Sequence, residues 1–382
     1  MPALSSSVYL DGSSGEPLLP EARDAWLAAQ DAGWGDPLRL HGPGRRAAQA
    51  LDRAREVVAA AVGARADEVV FTASAVQGTY AALGGLAIGR RRIGDRIVTT
   101  AVDHSSVLAA AQAYGRLTAI GVDAQGHVDP AAWQAELAAG DVAAAVIQVA
   151  NHEVGTRQPF EEVAALCRTA DVPLVLDATA ALGRLDLSSR EAGWSVLVGA
   201  AGAFGGPVGV GVLVLRRGVR WRAPWPVDDY QGGRWPGEPD VPAVVAAAVA
   251  LETWLSDREA VASRQHAQVD RLRRGIAESV REVDVVGDPD RRAPHLMTCS
   301  VLYVDGETLT LELDRAGIAV SSGSACSASS DTPSHVLAAM GALTHGNLRI
   351  GLTRSTSDAE VDALLAALPP IVDRIRARLG AP

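Results

Sequence analysis

The stretch best suited to chemistry runs from Ala319 to Ser330, A-V-S-S-G-S-A-C-S-A-S-S, with Cys326 near its centre. Gly317, Ile318 and Val320 read as a short strand that gives way to small polar residues, so the backbone there is free to form a tight loop. Ser324, Ser327 and Ser329 surround the thiol with hydrating partners, and accessible thiolates are the ones that react. The residues alone leave two readings open: a presented nucleophile, or a small buried residue in a Ser/Gly turn. Other candidates sit just past apolar runs: His104, Asp177 after V-P-L-V-L, and Arg354. A carboxylate ending an apolar strand is costly unless it is partnered, and Asp177 also reads as a cap for the next helix.

The elements that must position these groups follow from periodicity. Helical spacing covers 20–32 and 44–62, where Ala47, Leu51, Ala54, Val57, Val58 and Ala61 share one face. Strands are expected at 68–72, 96–100, 118–122, 143–149, 174–177, 196–198 and 210–215, mostly separated by helices, which is the pattern of a mainly parallel seven-stranded α/β sheet. Such sheets place ligands at the carboxyl ends of their strands. A smaller α+β part is expected from Val241, with helices at 241–255 and 260–283 and strands at 301–303, 318–320 and 348–352. Ser357 and Glu360 form a capping box for the last helix. The expected division is 16–240 as the large domain, and 1–15 with 241–382 as the small one. Between them, Trp221, Trp225 and Trp235 in a Pro/Gly-rich loop suggest an interface.

Taken together, these motifs resemble the cysteine desulfurases, pyridoxal phosphate (PLP) enzymes of the class V aminotransferase group within the fold type I transferases. The S-S-G-S-A-C-S-A-S run is similar to their catalytic loop, whose Cys takes sulfur from free cysteine as a persulfide. Tyr9-Leu10-Asp11, Asp103-His104-Ser105-Ser106, Asn151-His152-Glu153-Val154-Gly155-Thr156, Asp177-Ala178, Gly206-Pro207 with Gly209 and Gly211, and Pro333-Ser334-His335-Val336-Leu337 agree in order and spacing over nearly the whole chain. The resemblance implies that Cys326 is the sulfur carrier and that Arg354 grips a substrate carboxylate bidentately. It also implies that His104 covers the cofactor ring, that Asp177 pairs with the pyridine nitrogen, and that Asn151 belongs to the substrate side.

At its cofactor pocket the sequence departs from that pattern. The family's S-x-H-K-x-x-G-P segment is Ala200-Ala201-Gly202-Ala203-Phe204-Gly205-Gly206-Pro207, so Ala203 stands where the cofactor lysine would be, and Ala200 and Gly202 replace its Ser and His. No lysine occurs anywhere in the chain; all 35 basic residues are arginine, which stays protonated and forms no Schiff base. Val76 replaces a phosphate-binding Thr, His152 the Asn facing the ring hydroxyl, and Ala180 a Gln. Glu238 falls where the family's Thr reaches the neighbouring subunit's phosphate. Two like charges about 4 Å apart repel by ~4 kcal/mol at an effective dielectric near 20. No covalently held cofactor is therefore expected, and no internal aldimine.

Bulk properties limit the remaining classes. A chain of 382 residues supports a large core. A net charge of −10, with basic and acidic residues interspersed, argues against nucleic-acid or anionic-membrane partners. Arg90, Arg91 and Arg92 form the tight basic run, read as a solvated helix end. Three cysteines, at 167, 299 and 326, share no metal spacing and fit a reducing compartment; Cys167 reads as core. No signal peptide is expected, and the location is expected to be cytoplasmic. Residues 195–215 carry no charge, but six glycines and Pro207 make them buried strands around a turn and not a membrane span.

These readings give three functions. The first is a sulfur-transfer protein with Cys326 as persulfide carrier, fed by an active desulfurase and serving an acceptor protein. The second is a non-catalytic subunit, homodimeric or paired with an active cysteine desulfurase. The third is an atypical PLP-dependent cysteine desulfurase.

Overall fold

A computed structural model describes residues 8–33, 35–189, 192–322 and 333–380. After β1 (Val8–Tyr9), seven strands form one sheet: β2 (Val69–Thr72), β3 (Arg96–Thr100), β4 (Arg116–Ile120), β5 (Val142–Gln148), β6 (Leu174–Asp177), β7 (Val196–Ala200) and β8 (Gly211–Leu215). Their order is β2-β8-β7-β6-β5-β3-β4. Strand β8 runs antiparallel to both its neighbours, and the remaining pairs are parallel.

The sequence of β5, V-A-A-A-V-I-Q, is buried at every position, as a parallel strand covered on both faces must be. Alternation sends Ala145 and Ile147 into the layer containing Leu51, Trp133 and Phe160. Ala144 and Val146 go to the opposite layer, with Leu83, Leu86 and Ala110. Helices thus flank the sheet on both sides.

In the smaller part, β9 (Val283–Val286), β10 (Leu296–Val301) and β12 (Asn347–Gly351) form an antiparallel sheet ordered β12-β10-β9. Strand β1 pairs in parallel with β11 (Ile318–Ala319). Met297, Leu348 and Ile350 share a core with Leu10, Leu272 and Leu364. The strand expected at 301–303 lies earlier: Tyr303 has φ +60°, which ends extended pairing there. The two helices expected after Val241 are one element, Val241–Ser279, interrupted at Asp257 (φ −142°, ψ 21°). Among the described residues no helix is long and apolar enough to cross a membrane.

One loop expectation is corrected. Arg90 is not solvated: it is buried, and Nη2 donates to the Asp171 carbonyl at 2.6 Å. Trp221, Trp225 and Trp235 are partly buried against the chain's own core. Trp225 and Trp235 meet edge-on with centroids 5.0 Å apart, and Trp221 Nε1 donates to the Ala81 carbonyl at 2.8 Å.

That packing depends on Gly85, because a Cβ there would lie 1.9 Å from the Trp221 indole nitrogen. Gly85→Ala would gain up to about 1 kcal/mol of helix propensity. Overpacking of a filled interior costs about 1–3 kcal/mol, and the severity of this overlap puts it at the upper end. Net destabilisation of about 1–2 kcal/mol is expected from urea unfolding, whereas net stabilisation would show that the tryptophan loop moves aside freely.

Candidate active site

A cavity of about 280 Å³ opens at the carboxyl ends of β3, β5, β6 and β7. Val76, His104, His152, Asp177, Ala180, Ala200 and Ala203 all line it. Asn151, Gly202, Glu238 and Arg354 are not among its walls, and Cys326 lies outside the described residues.

Each wall residue is placed by local structure. Asp177 is the last residue of β6, and one carboxylate oxygen takes the Thr179 N–H at 2.9 Å. His104 precedes helix Ser105–Tyr114; its Nδ1 accepts the Ser106 N–H at 3.1 Å and lies 2.7 Å from Ser106 Oγ. Burial lowers the His104 pKa, opposed by Asp177. His152 meets His104 edge-on at 4.9 Å, and burial holds its pKa well below the ordinary value. Both rings are therefore neutral near pH 7.

The absent residues are engaged elsewhere. Asn151 Nδ2 donates to the Val102 carbonyl at 3.0 Å, and Oδ1 accepts the Glu153 and Val154 N–H groups at 2.8 and 2.9 Å. Its amide shapes the turn that carries His152. The Gly202 carbonyl accepts the Glu16 N–H at 2.9 Å. Arg354 is gripped by Asp257 through Nη1 at 2.5 Å and Nη2 at 2.8 Å. Glu238 is exposed in the tryptophan loop.

Several groups at the site escaped sequence reasoning. Arg184, directly in the wall, pairs with Glu16 at 2.8 Å, and both side chains are 2% exposed. Burial lowers the Arg184 pKa and Glu16 opposes that. His295 also lines the cavity, with its pKa held well below normal by burial. Glu153 accepts from Ser334 Oγ at 2.6 Å, and His335 Nε2 donates to the Asp103 carbonyl at 2.9 Å. These contacts anchor helix His335–Ala339 beneath the site. Glu153, Ser334, His335 and Asp103 stood within quoted motifs without a role, whereas Arg184 and His295 carried no sequence signal.

Asp103 lies under His104. Burial is the largest influence on its carboxyl and raises its pKa to about 7. Hydrogen bonds from Thr100 and the Gln148 N–H oppose the rise, and Asp177 adds to it. A carboxyl whose folded pKa exceeds its unfolded value takes up a proton on folding, so its stabilisation is full below about pH 4 and is lost as pH rises through about 7. Asp103→Asn abolishes that titration. Relative to the parent it is expected to be more destabilising at pH 5 than at pH 8, by about 3 kcal/mol. Urea unfolding of both proteins at the two pH values checks this, and a pH-independent difference would mean that Asp103 is ionised throughout.

With this geometry in place, the family is defined. The aminotransferase class-V family profile matches residues 8–364, and the chain belongs to that family, in its cysteine desulfurase branch. The cysteine desulfurase of Cereibacter sphaeroides is 38% identical over 381 residues, covering 97% of each chain. The cysteine desulfurase NifS of Azotobacter vinelandii is 33% identical, covering 97% of this chain and 94% of its own. A solved NifS-like protein superposes with a TM-score of 0.88 at 25% identity, covering 96% of this chain and 100% of that one.

This membership corrects the cofactor expectation. The family is PLP-dependent, and its match over most of the chain points to pyridoxal phosphate as the cofactor. The missing lysine led to an expectation of no covalently held cofactor; the family match points instead to pyridoxal phosphate. The cavity fits the group in part. His104 and Asp177, both in its wall, would hold the ring. The helix Ala75–Arg90 begins there, with first-turn N–H groups of Ala75 and Val76 that lack intrahelical partners and would take the phosphate. The chain offers these contacts and no lysine. When bound, pyridoxal phosphate supplies an aldehyde and an electron-withdrawing ring.

Proposed function

We propose that this chain is a cysteine desulfurase-like sulfur-transfer protein that carries sulfane sulfur on Cys326. What supports the reading is the state of the other two thiols. Cys167 and Cys299 are buried, and burial raises both pKa values to about 12, so neither supplies thiolate near neutral pH. In the transfer, the Cys326 thiolate attacks the terminal sulfur of a persulfide on an active cysteine desulfurase. A sulfur–sulfur bond forms at Cys326, the donor's bond breaks, and its cysteine leaves as thiolate. Sulfane sulfur changes carrier with no net oxidation, and a second exchange delivers it to an acceptor protein.

Intact mass measured after incubation with an active cysteine desulfurase and cysteine tests this. The parent is expected to gain one sulfur atom and Cys326→Ser none. A parent that stays unmodified, or a variant that gains equally, would remove Cys326 from the chemistry.

The exposure of Glu238 favours a second reading, in which the chain forms a homodimer or pairs with an active desulfurase and presents this loop to its neighbour. Cys326→Ser would then leave the activity of the complex unchanged, and Glu238→Thr would alter it.

A further inference from the structure

We propose that a second pocket, at the amino ends of β6 and β7, is an anion site that takes a compact polyanion with two phosphate groups. The assignment rests neither on Cys326 nor on the sulfur-transfer reading.

This pocket encloses about 350 Å³. Its walls come from the end of helix Ala75–Arg90, from the turn between helix Phe160–Thr169 and β6, from residues 193–195 before β7, and from 216–220 after β8. Strands β6 and β7 are parallel, and their far ends, Asp177 and Ala200, line the main cavity. A rise of about 3.3 Å per residue puts about 13 Å between Pro173 in this pocket and Asp177 in the cavity. A compact ligand held here therefore does not reach the other site.

Five arginines, at 90, 168, 216, 217 and 220, line the pocket, and Asp171 is the carboxylate in its wall. In a chain of net charge −10 that is a local reversal of sign. Part of the charge is already answered. Arg90 Nη2 donates to the Asp171 carbonyl at 2.6 Å, and Nη1 lies 3.7 Å from its carboxylate. Arg217 Nε donates to Asp67 at 3.1 Å, and Arg216 has Glu68 at 3.6 Å. Arg168 and Arg220 are exposed and make no side-chain hydrogen bond or ion pair among the described residues. Burial lowers the Arg90 pKa, Asp171 opposes this, and the Arg220 charge reinforces it. Like charges here work against one another, and an anion between them relieves that repulsion while gaining charge-assisted hydrogen bonds.

Helix ends do not account for the cluster. Arg90 and Arg168 stand in the last turns of their helices, where a cation is favoured in any case. Arg216, Arg217 and Arg220 follow a strand and have no such reason to converge on the same pocket. Their backbone is fixed: the Arg216 N–H donates to the Ser195 carbonyl at 3.0 Å, and Gly89 lets the Arg220 carbonyl approach so closely that a Cβ there would lie 1.9 Å from it. The Arg168 guanidinium lies against Gly193, where a Cβ would come within 2.9 Å of Nη1. The frame carrying the charges is thus set before a ligand arrives, which limits the ordering cost of binding.

The walls also restrict the ligand. Trp194, the aromatic residue among them, is 4% exposed, with the Arg216 guanidinium 3.8 Å from its ring, so no free face is offered to a base. Guanidinium groups match phosphate oxygens in a bidentate fork. One phosphate for each of Arg168 and Arg220 gives a ligand of pyrophosphate type, either free or as a bisphosphorylated metabolite.

Calorimetric titration of the full chain at fixed ionic strength tests this, with inorganic pyrophosphate, inorganic phosphate and fructose 1,6-bisphosphate as probes. Pyrophosphate is expected to bind about 10–100-fold more tightly than phosphate. Tighter binding of the bisphosphate than of pyrophosphate would identify the metabolite as the source of the two groups, and the reverse would identify free pyrophosphate. Arg168→Gln/Arg220→Gln breaks no ion pair and so should fold as the parent does; it is expected to weaken pyrophosphate binding about 10–100-fold. Arg23→Gln/Arg374→Gln removes the same charge from exposed positions outside the pocket and should leave the affinity unchanged.

Absence of pyrophosphate binding, equal affinity for pyrophosphate and phosphate, or an equal loss in the control variant would each overturn the assignment. Undiminished binding in Arg168→Gln/Arg220→Gln would overturn it as well, by placing the anion in the main cavity. Neither variant touches Cys326, so this result and the mass measurement can fail separately.

Discussion

Trp254→Ala is expected to lower the unfolding free energy by about 3–5 kcal/mol, the range for removing a large aromatic side chain from a packed interior. Trp254 is 1% exposed and sits in helix Val241–Ser279, where Leu251 and Phe204 belong to the same core. Its ring also carries two guanidinium groups, Arg184 at 4.5 Å and Arg354 at 5.4 Å, contacts that add further stabilisation when desolvated. The indole Nε1 has no hydrogen-bond partner among the described residues. Trp254→Phe therefore keeps an aromatic face and sacrifices no donor, and its expected cost is under about 1.5 kcal/mol. Urea unfolding of the two variants separates the contributions. If Phe costs as much as Ala, the full indole and not a generic ring face controls the site, and the placement of Arg184 does not depend on stacking.

The parts of this site that were legible in the sequence are those fixed by neighbours in the chain. Strands β5 and β6 are short apolar runs with clear ends, and His104 and Asp177 stand at such ends, so strand periodicity carries them to the cavity wall, while His152 was placed there by the family resemblance. What was illegible depends on long-range pairing. Glu16 and Arg184 are separated by 168 positions, and Arg354 and Asp257 by 97. Nothing in E-P-L or G-R-L announces a partner. Asp257 in particular reads as an ordinary break between helices, and only the fold shows the break turning its carboxylate toward Arg354. The tryptophans show a related limit: clustered aromatics signal a buried surface, but not which surface they bury. Here Gly84, Gly85 and Gly89 remove the side chains that would otherwise keep the loop off helix Ala75–Arg90. Asn151 shows a limit of motif reading. A motif fixes the residue type, while its amide is consumed by the turn it builds.

The second large effect is expected at Glu16. Glu16→Gln should destabilise the chain by about 3–5 kcal/mol, because it leaves the buried Arg184 charge without its counterion. Arg184→Gln should cost a similar amount by stranding the carboxylate. Glu16 is a junction as well as a counterion: its other oxygen accepts the Arg354 N–H at 2.6 Å, and its own N–H donates to the Gly202 carbonyl. It thereby ties the chain's start to the segment bearing Ala203 and to the residue that follows β12 and Leu352–Thr353. Changing both members to Gln removes both charges and keeps hydrogen-bonding atoms at each end, so the double variant should cost clearly less than the sum of the singles. A double-mutant cycle from urea unfolding is expected to give a coupling of at least about 1 kcal/mol. Strict additivity would mean that water reaches the pair.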